Sequence, residues 1–156
     1  MFAASAILGG VAAAAIAAAW ADWRRRRIQH AIVTALAGGW ALVSAVMPSA
    51  LGGSPVASLA CAAGALGFGS AMWVVGWLGA GDVRFAAAIA LWLGPADLGI
   101  ALVGAGLLLT VLAGTTTALG GSLPQRDLPV AVALAPPSVA LLAFRAVDVA
   151  SLATAT

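Results

Sequence analysis

Two aspartates are the residues of this sequence best suited to chemistry. Asp82 lies in Gly79-Ala80-Gly81-Asp82-Val83-Arg84, between the apolar runs 59–78 and 85–93, and Asp22 follows another apolar run. Acidic side chains at the ends of membrane-length apolar segments are costly, which favours a functional explanation. If the two carboxylates meet, they cannot both ionise cheaply, so one acts as an acid and the other as a base around a shared water. The pair therefore predicts hydrolysis of the aspartic-protease type.

Other catalytic chemistries lack the residues they need. His30 is the only histidine, so no Ser-His-Asp arrangement is favoured, and the single Cys61 lies inside an apolar run. One cysteine excludes an internal disulfide and a cysteine-based metal site. Five scattered aspartates offer at most a weak metal cluster. We expect no metal and no cofactor.

The composition indicates a membrane protein. The chain has 156 residues, of which 63% are hydrophobic and 8% are charged, and its mean hydropathy is +1.11. Soluble domains carry roughly a quarter charged residues, so most of this surface must face lipid. The net charge of +2 comes from arginines, and no basic face remains for a nucleic acid once the spans are drawn.

Apolar runs predict an all-α fold, a polytopic membrane helix bundle of six transmembrane helices in one domain, 1–156. The charges follow the first run, so we expect it to be retained and not cleaved as a signal peptide. The third run is rich in small residues, which predicts a central helix. The fourth is only about 16 Å long and ends at Gly94-Pro95. Pro136-Pro137 should bend or break the sixth. The six predicted spans are 2–21, 28–47, 56–78, 83–93, 98–119 and 129–149.

Arginine placement predicts the orientation. Arg24–Arg27, Arg84 and Arg126 all fall in loops that join odd to even spans. The positive-inside rule then puts these loops in the cytoplasm and both termini on the non-cytoplasmic side. Asp22 and Asp82 lie at the cytoplasmic ends of their helices. On the other side, Asp97 is expected to cap the fifth span, and Arg145 to pair with Asp148 three residues later.

Three segments resemble one family. Residues 79–84 resemble the GxGDxK box of the type IV prepilin peptidases, and 22–30 (DWRRRRIQH) are similar to that family's first acid site. Residues 128–133 are similar to its late Pro-Tyr/Phe-Gly-Pro-Ala segment. The closest resemblance is to the small Flp/Tad-pilus type, which lacks a methyltransferase domain. Here Arg84 replaces the motif Lys, Ile28-Gln29-His30 replaces Ile-Pro-Asn, and the late segment lacks its aromatic residue and its glycine.

The resemblance implies an aspartyl endopeptidase of the bacterial inner membrane, multi-pass, that cleaves prepilin leader peptides at the cytoplasmic face. It implies that Asp22 and Asp82 are the catalytic pair, with motif support from the group Gly79, Gly81, Arg84, His30 and Pro129. The expected partners are the prepilin leader peptide, membrane lipid and pilus assembly proteins. The oligomeric state stays open.

Two other functions remain open. One is an inactive scaffold or assembly component derived from the same family, which differs from the enzyme in whether Asp22 and Asp82 meet. The other is a small transporter that passes protons or cations along the two acids. A transporter predicts acids near the bilayer midplane and often an internal repeat. The two acids here are expected at one interface and the sequence shows no repeat, which counts against it.

Overall fold

The protein is all-helical in a computed structural model that describes residues 2–25, 30–51, 53–118 and 130–154. Side chains are described for residues 5–22, 30–48, 51, 53–111, 115, 118 and 132–147. A short 3₁₀ turn, Pro48–Leu51, joins the second and third helices. The described residues form the helices α1 (Phe2–Arg25), α2 (His30–Val46), α3 (Pro55–Val74), α4 (Ala80–Ala118) and α5 (Val130–Thr154).

The all-α prediction is confirmed, but the structure does not support six spans by helix count. Three stretches in the described residues are long and apolar enough to cross a membrane: Ser5–Asp22, Pro55–Val74 and Ala80–Val111. The apolar stretches His30–Val46 and Val132–Val147 are shorter. The predicted fourth and fifth spans are joined in the single 39-residue helix α4. The count differs because helical geometry resumes immediately after one residue, with no loop between the two runs.

That one residue is Gly94, which divides α4 into a first segment (80–93) and a second segment (95–118). Its φ of 68° and ψ of −176° lie outside helical geometry, in a region that is essentially restricted to glycine. Pro95 follows and has no N–H to donate. The carbonyls of the last turn of the first segment therefore lose their ordinary partners.

The second segment runs back along α5. Asp97 forms an ion pair with Arg145. A Cβ atom built on Gly104 would lie 3.0 Å from the Cβ of Pro137, which precedes Arg145 on α5. Since α5 continues as one helix between these two contacts, the second segment is antiparallel to it. The first segment ends at the same place, because the carbonyl of Trp92 also accepts a hydrogen bond from Arg145.

The two prolines do not break α5. The sequence predicted a bend or a break at Pro136-Pro137, and the structure excludes the break, because the helix runs from Val130 to Thr154 with both prolines inside it. The Ser138 hydroxyl donates to the carbonyl of Leu134 at 2.7 Å, within the same stretch. Gly104 gives the ring of Pro137 the room to approach α4.

The centre of the bundle is the first segment of α4. Phe85, Ile89 and Leu93 are fully buried in it, and Trp92 donates from its indole nitrogen to the carbonyl of Leu36 at 2.9 Å. The sequence assigned this place to the third span, and that prediction was wrong. The buried residues of α3 are Ser58, Ala62 and Gly69, while large side chains such as Leu59, Phe68 and Trp73 are exposed.

Small residues do allow a close contact between helices, but only along one narrow stripe of α3. A Cβ on Gly69 would lie 2.8 Å from a methyl carbon of Val83, so this glycine is needed for α3 to lie against α4. The rest of α3 faces outward. Small residues thus mark where two backbones approach and not which helix is surrounded on all sides.

Contacts between helices sort the helix ends into two groups. At one end, which we call the site end, Arg84 lies against His30 and Val83 lies against Gly69. The opposite end we call the break end, because it contains Gly94. There Arg145 pairs with Asp97, and the Ser5 hydroxyl donates to the carbonyl of Ala146 at 3.4 Å.

The geometry of Gly94 predicts a glycine-specific contribution to stability. Gly94→Ala should lower the free energy of unfolding by about 1–3 kcal/mol, because a Cβ is disfavoured at this φ and ψ. Gly99→Ala is the matched control: it lies in the second segment, and an added Cβ meets nothing within 4 Å. There alanine should stabilise by up to about 1 kcal/mol. Denaturant unfolding in detergent micelles measures both variants, and equal stability of the two would contradict the role of Gly94.

Candidate functional site

Asp22 continues the buried face of α1. The buried positions Leu8, Val11, Ala15 and Ala18 recur at alternating spacings of three and four residues, and Asp22 is the next position in this series. Its side chain is 9% exposed, and its Oδ2 atom is shielded from solvent. The carboxylate therefore faces the interior of the bundle, and this face of α1 carries an acid where a core residue would fit.

Asp22 lies at the site end. Ser5, near the start of the same helix, contacts Ala146 at the break end. Because α1 is a single helix of 24 residues, its last turn lies at the opposite end of the bundle, about 25 Å away along the axis. The helix that follows begins with His30, which contacts Arg84. The chain around Asp22 and the chain around Asp82 thus belong to one end of the molecule, as the sequence predicts.

Asp82 lies in the first turn of α4 and is half-buried. Its Oδ2 atom accepts a hydrogen bond from the backbone N–H of Gly79 at 3.2 Å. Gly79 precedes the first helical residue, so Asp82 occupies the third helical position and bonds back to the cap residue, as in half of a capping box. The Oδ1 atom is shielded from solvent. One oxygen therefore fixes the carboxylate to the helix start, and the other faces the protein.

The glycine at position 79 leaves room for the Asp82 carboxylate. A Cβ there would lie 2.9 Å from the Oδ2 atom of Asp82, closer than real Cβ contacts allow. Any side chain at this position would displace the carboxylate. Gly81 lies in the same first turn, beside Asp82. The pattern Gly-x-Gly-Asp thus has a steric reason at its first glycine.

Arg84 and His30 contact each other across the start of α2 and the start of α4. The Nη1 atom of Arg84 lies 3.2 Å from the Nδ1 atom of His30. A guanidinium can only donate, so Nδ1 is the acceptor of this hydrogen bond. Both side chains are exposed. The sequence singled out both residues, and the structure joins them directly.

Some residues to which the sequence analysis gave a role cannot be placed. Pro129, Arg126 and Asp127 lie outside the described residues, as do the side chains of Arg24–Arg27 and Asp148. No group of three or more His, Cys, Asp or Glu side chains that could hold a metal ion occurs among the residues described.

Arg145 has a partner that the sequence did not suggest. Spacing along the helix favoured Asp148, and Asp97 was interpreted as a cap of its own helix. Among the described side chains, the Nη2 atom of Arg145 lies 2.5 Å from the Oδ2 atom of Asp97, and the guanidinium donates to the carbonyls of Leu51, Trp92 and Leu93. The available signal was the Gly94-Pro95 break, because a break inside an apolar bundle leaves carbonyls that need a donor.

Comparison with known proteins gives one match. A family model described as the type IV leader peptidase family matches residues 10–119, more than half of the chain. The matched range contains Asp22, residues 79–84 and both segments of α4. A search of curated proteins found no match, and neither did a search of solved structures.

The contact between Gly79 and Asp82 predicts opposite effects of the same substitution at two glycines. Gly79→Ala should lower the free energy of unfolding by about 1 kcal/mol or more, because it breaks the N–H to carboxylate bond and because alanine is a poor cap residue. Gly64→Ala, in α3 where an added Cβ meets nothing within 4 Å, should be neutral or stabilising. Denaturant unfolding of the two variants is the measurement. A Gly79→Ala variant as stable as Gly64→Ala would show that the Asp82 carboxylate is not held in this way.

Proposed function

Because the chain belongs to the type IV leader peptidase family, we propose that it is an aspartyl endopeptidase that removes the leader peptide from type IV prepilins of the Flp type, at the cytoplasmic face. Asp22 and Asp82 are proposed as the catalytic pair. The protein substrate is a prepilin leader, and pilus assembly proteins are the proposed further partners. The family match supports a prepilin-peptidase-like function in general, and the specificity and the side of cleavage are our proposal.

The observation that carries this proposal is the placement of two partly or fully buried acids at one end of an apolar bundle. Asp22 is on the buried face of α1, and Asp82 is held at the start of the most buried helical segment. Placing an acidic side chain in apolar surroundings costs free energy. A capping role accounts for the hydrogen bond of one carboxylate oxygen of Asp82. It does not account for Asp22, an acid on the buried face of α1.

The proposed reaction is hydrolysis of one peptide bond. The ionised carboxylate takes a proton from a water held between the two acids, and the water oxygen bonds to the peptide carbonyl carbon. The protonated carboxyl hydrogen-bonds to the carbonyl oxygen and stabilises the charge that develops there. The tetrahedral intermediate then loses its carbon–nitrogen bond, and the initially protonated carboxyl gives its proton to the leaving amine. The two acids thereby exchange their protonation states.

Two of the residues that depart from the family pattern lie together at the site end. Arg84 stands where the motif has Lys, and His30 stands where it has Asn. The structure joins these two residues through the Arg84 Nη1 to His30 Nδ1 contact of 3.2 Å. The inactive assembly component derived from the same family remains the alternative.

We also propose six membrane crossings in a bacterial inner membrane, with both termini outside the cytoplasm. The support is the reversal of α4 at Gly94: its first segment ends and its second segment begins at the break end. Each segment then counts as one crossing. By the positive-inside rule, Arg84 at the site end and Arg24–Arg27, which follow Asp22 in the sequence, indicate that this end faces the cytoplasm.

The catalytic assignment predicts loss of activity without loss of insertion. Asp22→Asn and Asp82→Asn should each abolish leader cleavage of a co-expressed prepilin, since an amide can neither take a proton from water nor supply one. Arg84→Ala should retain partial cleavage, because it removes a neighbouring group and no acid. The measurement is the ratio of mature to precursor pilin in membranes with equal amounts of each variant. Full cleavage by either Asn variant would refute the assignment.

The orientation in the membrane is tested with two exposed positions, one before the start of α3 and one after its end. In a Cys61→Ser background, Ser54→Cys at the break end should react with a membrane-impermeant maleimide in intact spheroplasts. Trp77→Cys at the site end should react only after permeabilisation. Both residues are exposed in the structure, so burial does not explain a difference between them. The reverse pattern would place the site end outside the cytoplasm.

A further inference from the structure

The strongest polar assembly away from the two acids surrounds Arg145. Its Nη1 atom donates to the carbonyls of Leu51 at 3.2 Å and Trp92 at 2.9 Å. Its Nη2 atom donates to the carbonyl of Leu93 at 2.6 Å and forms the ion pair with Asp97. The side chains of Arg145 and Asp97 are only 20% and 19% exposed. One guanidinium thus connects α5, the 3₁₀ turn and both sides of the Gly94 break.

We propose that Arg145 is a positioning residue that fixes the axial position of the first segment of α4 and, through it, of Asp82. We call Arg145, Asp97 and the three carbonyls the arginine latch. The part of this inference that concerns Asp82 rests on the proposed function. The part that concerns the helical segment does not.

The first segment needs such a latch because its own surface is nearly uniform. Its buried side chains are apolar, and burial of apolar surface is not directional. Displacement along the helix axis would therefore meet little opposition from this surface except through side-chain shape. The buried side chains are Val83, Phe85, Ala87, Ala88, Ile89, Ala90, Trp92 and Leu93.

Among the described residues, the directional contacts of the segment with other helices are the Arg84–His30 contact in its first turn and a larger group near its last turn. Trp92 donates to the carbonyl of Leu36, and Arg145 takes the carbonyls of Trp92 and Leu93. Asp82 lies ten residues before Trp92, about 15 Å along a helix. Because a helix of this length is stiff, a latch at one end determines the height of the acid at the other.

The planar guanidinium is suited to this task. It presents several donors in a fixed fork, and its described acceptors come from the 3₁₀ turn and from both segments of α4. A lysine ammonium would keep the charge and the attraction to Asp97 but would not reach all the carbonyls at once. The uncharged Arg145→Met variant would keep a long side chain and lose every one of these hydrogen bonds.

The test compares Arg145→Met, Arg145→Lys and Asp97→Asn for leader cleavage in detergent, per folded molecule. We expect Arg145→Met to lower kcat by about tenfold or more, because small displacements of catalytic groups are costly, with KM within about twofold. Arg145→Lys should recover part of kcat. Asp97→Asn leaves the three carbonyl contacts in place and should cost about threefold at most. If kcat per folded molecule is unchanged in Arg145→Met and Arg145→Lys, Arg145 does not position Asp82.

A second measurement does not depend on cleavage. Hydrogen exchange of the amides in residues 80–93 should be faster in Arg145→Met than in the original protein, while residues 66–74 of α3 change less. Arg145→Lys provides the same comparison if the Met variant does not fold. If the original protein fails to cleave a prepilin, the proposed function fails, and exchange alone decides the latch. Unchanged exchange in residues 80–93 would overturn it.

Discussion

Every backbone polar group inside an apolar bundle must find a partner within the protein, and this constraint is most severe at Gly94. There the helix leaves regular geometry, Pro95 brings no N–H, and the carbonyls of Trp92 and Leu93 face inward. A buried carbonyl without a donor costs about 1–3 kcal/mol. Arg145 donates to both, and Asp97 balances its charge. The break is tolerated because Arg145, on another helix, donates to the carbonyls that the break leaves without helical partners.

The break in turn allows the first segment of α4 to lie at the centre of the bundle. A segment of 14 residues is short enough to be enclosed by its neighbours along its whole length. Its start then carries Asp82 at a point where α1 ends, α2 begins and α3 ends. The acid is therefore attached to the best-packed element of the molecule, a suitable support for a group that must be held within a fraction of an ångström.

Much of this arrangement is predictable from the sequence because it follows from local patterns. Apolar runs predicted helices over the parts of the chain that the structure shows as helical, but the fourth and fifth of the six predicted spans form the single helix α4, which is interrupted at Gly94. Arginine placement put Arg84 and His30 at one end, and Asp97 and Arg145 at the other, and the contacts agree. The Gly-x-Gly-Asp pattern identified an acid whose carboxylate contacts the first glycine.

The features that were not predictable depend on non-local contacts. Arg145 has an acid three residues away in sequence, and nothing local indicates that the acid after the break is its partner. The small residues of α3 indicated close packing but not that one stripe alone would be covered, because that depends on which neighbours exist. The continuity of α5 through its two prolines was not predictable from the local sequence. The glycine that gives Pro137 its space lies on another helix, α4.

The distribution of the tryptophans has a consequence for how the molecule sits in bilayers of different thickness. Trp20, Trp73 and Trp77 are exposed and belong to the site end, whereas Trp40 and Trp92 are buried. Exposed indole rings settle at the level of the lipid headgroups. Three such rings would hold the site end at a constant depth, so a thicker or thinner hydrocarbon layer would be accommodated at the opposite end. The immersion of the acids would then be insensitive to lipid composition.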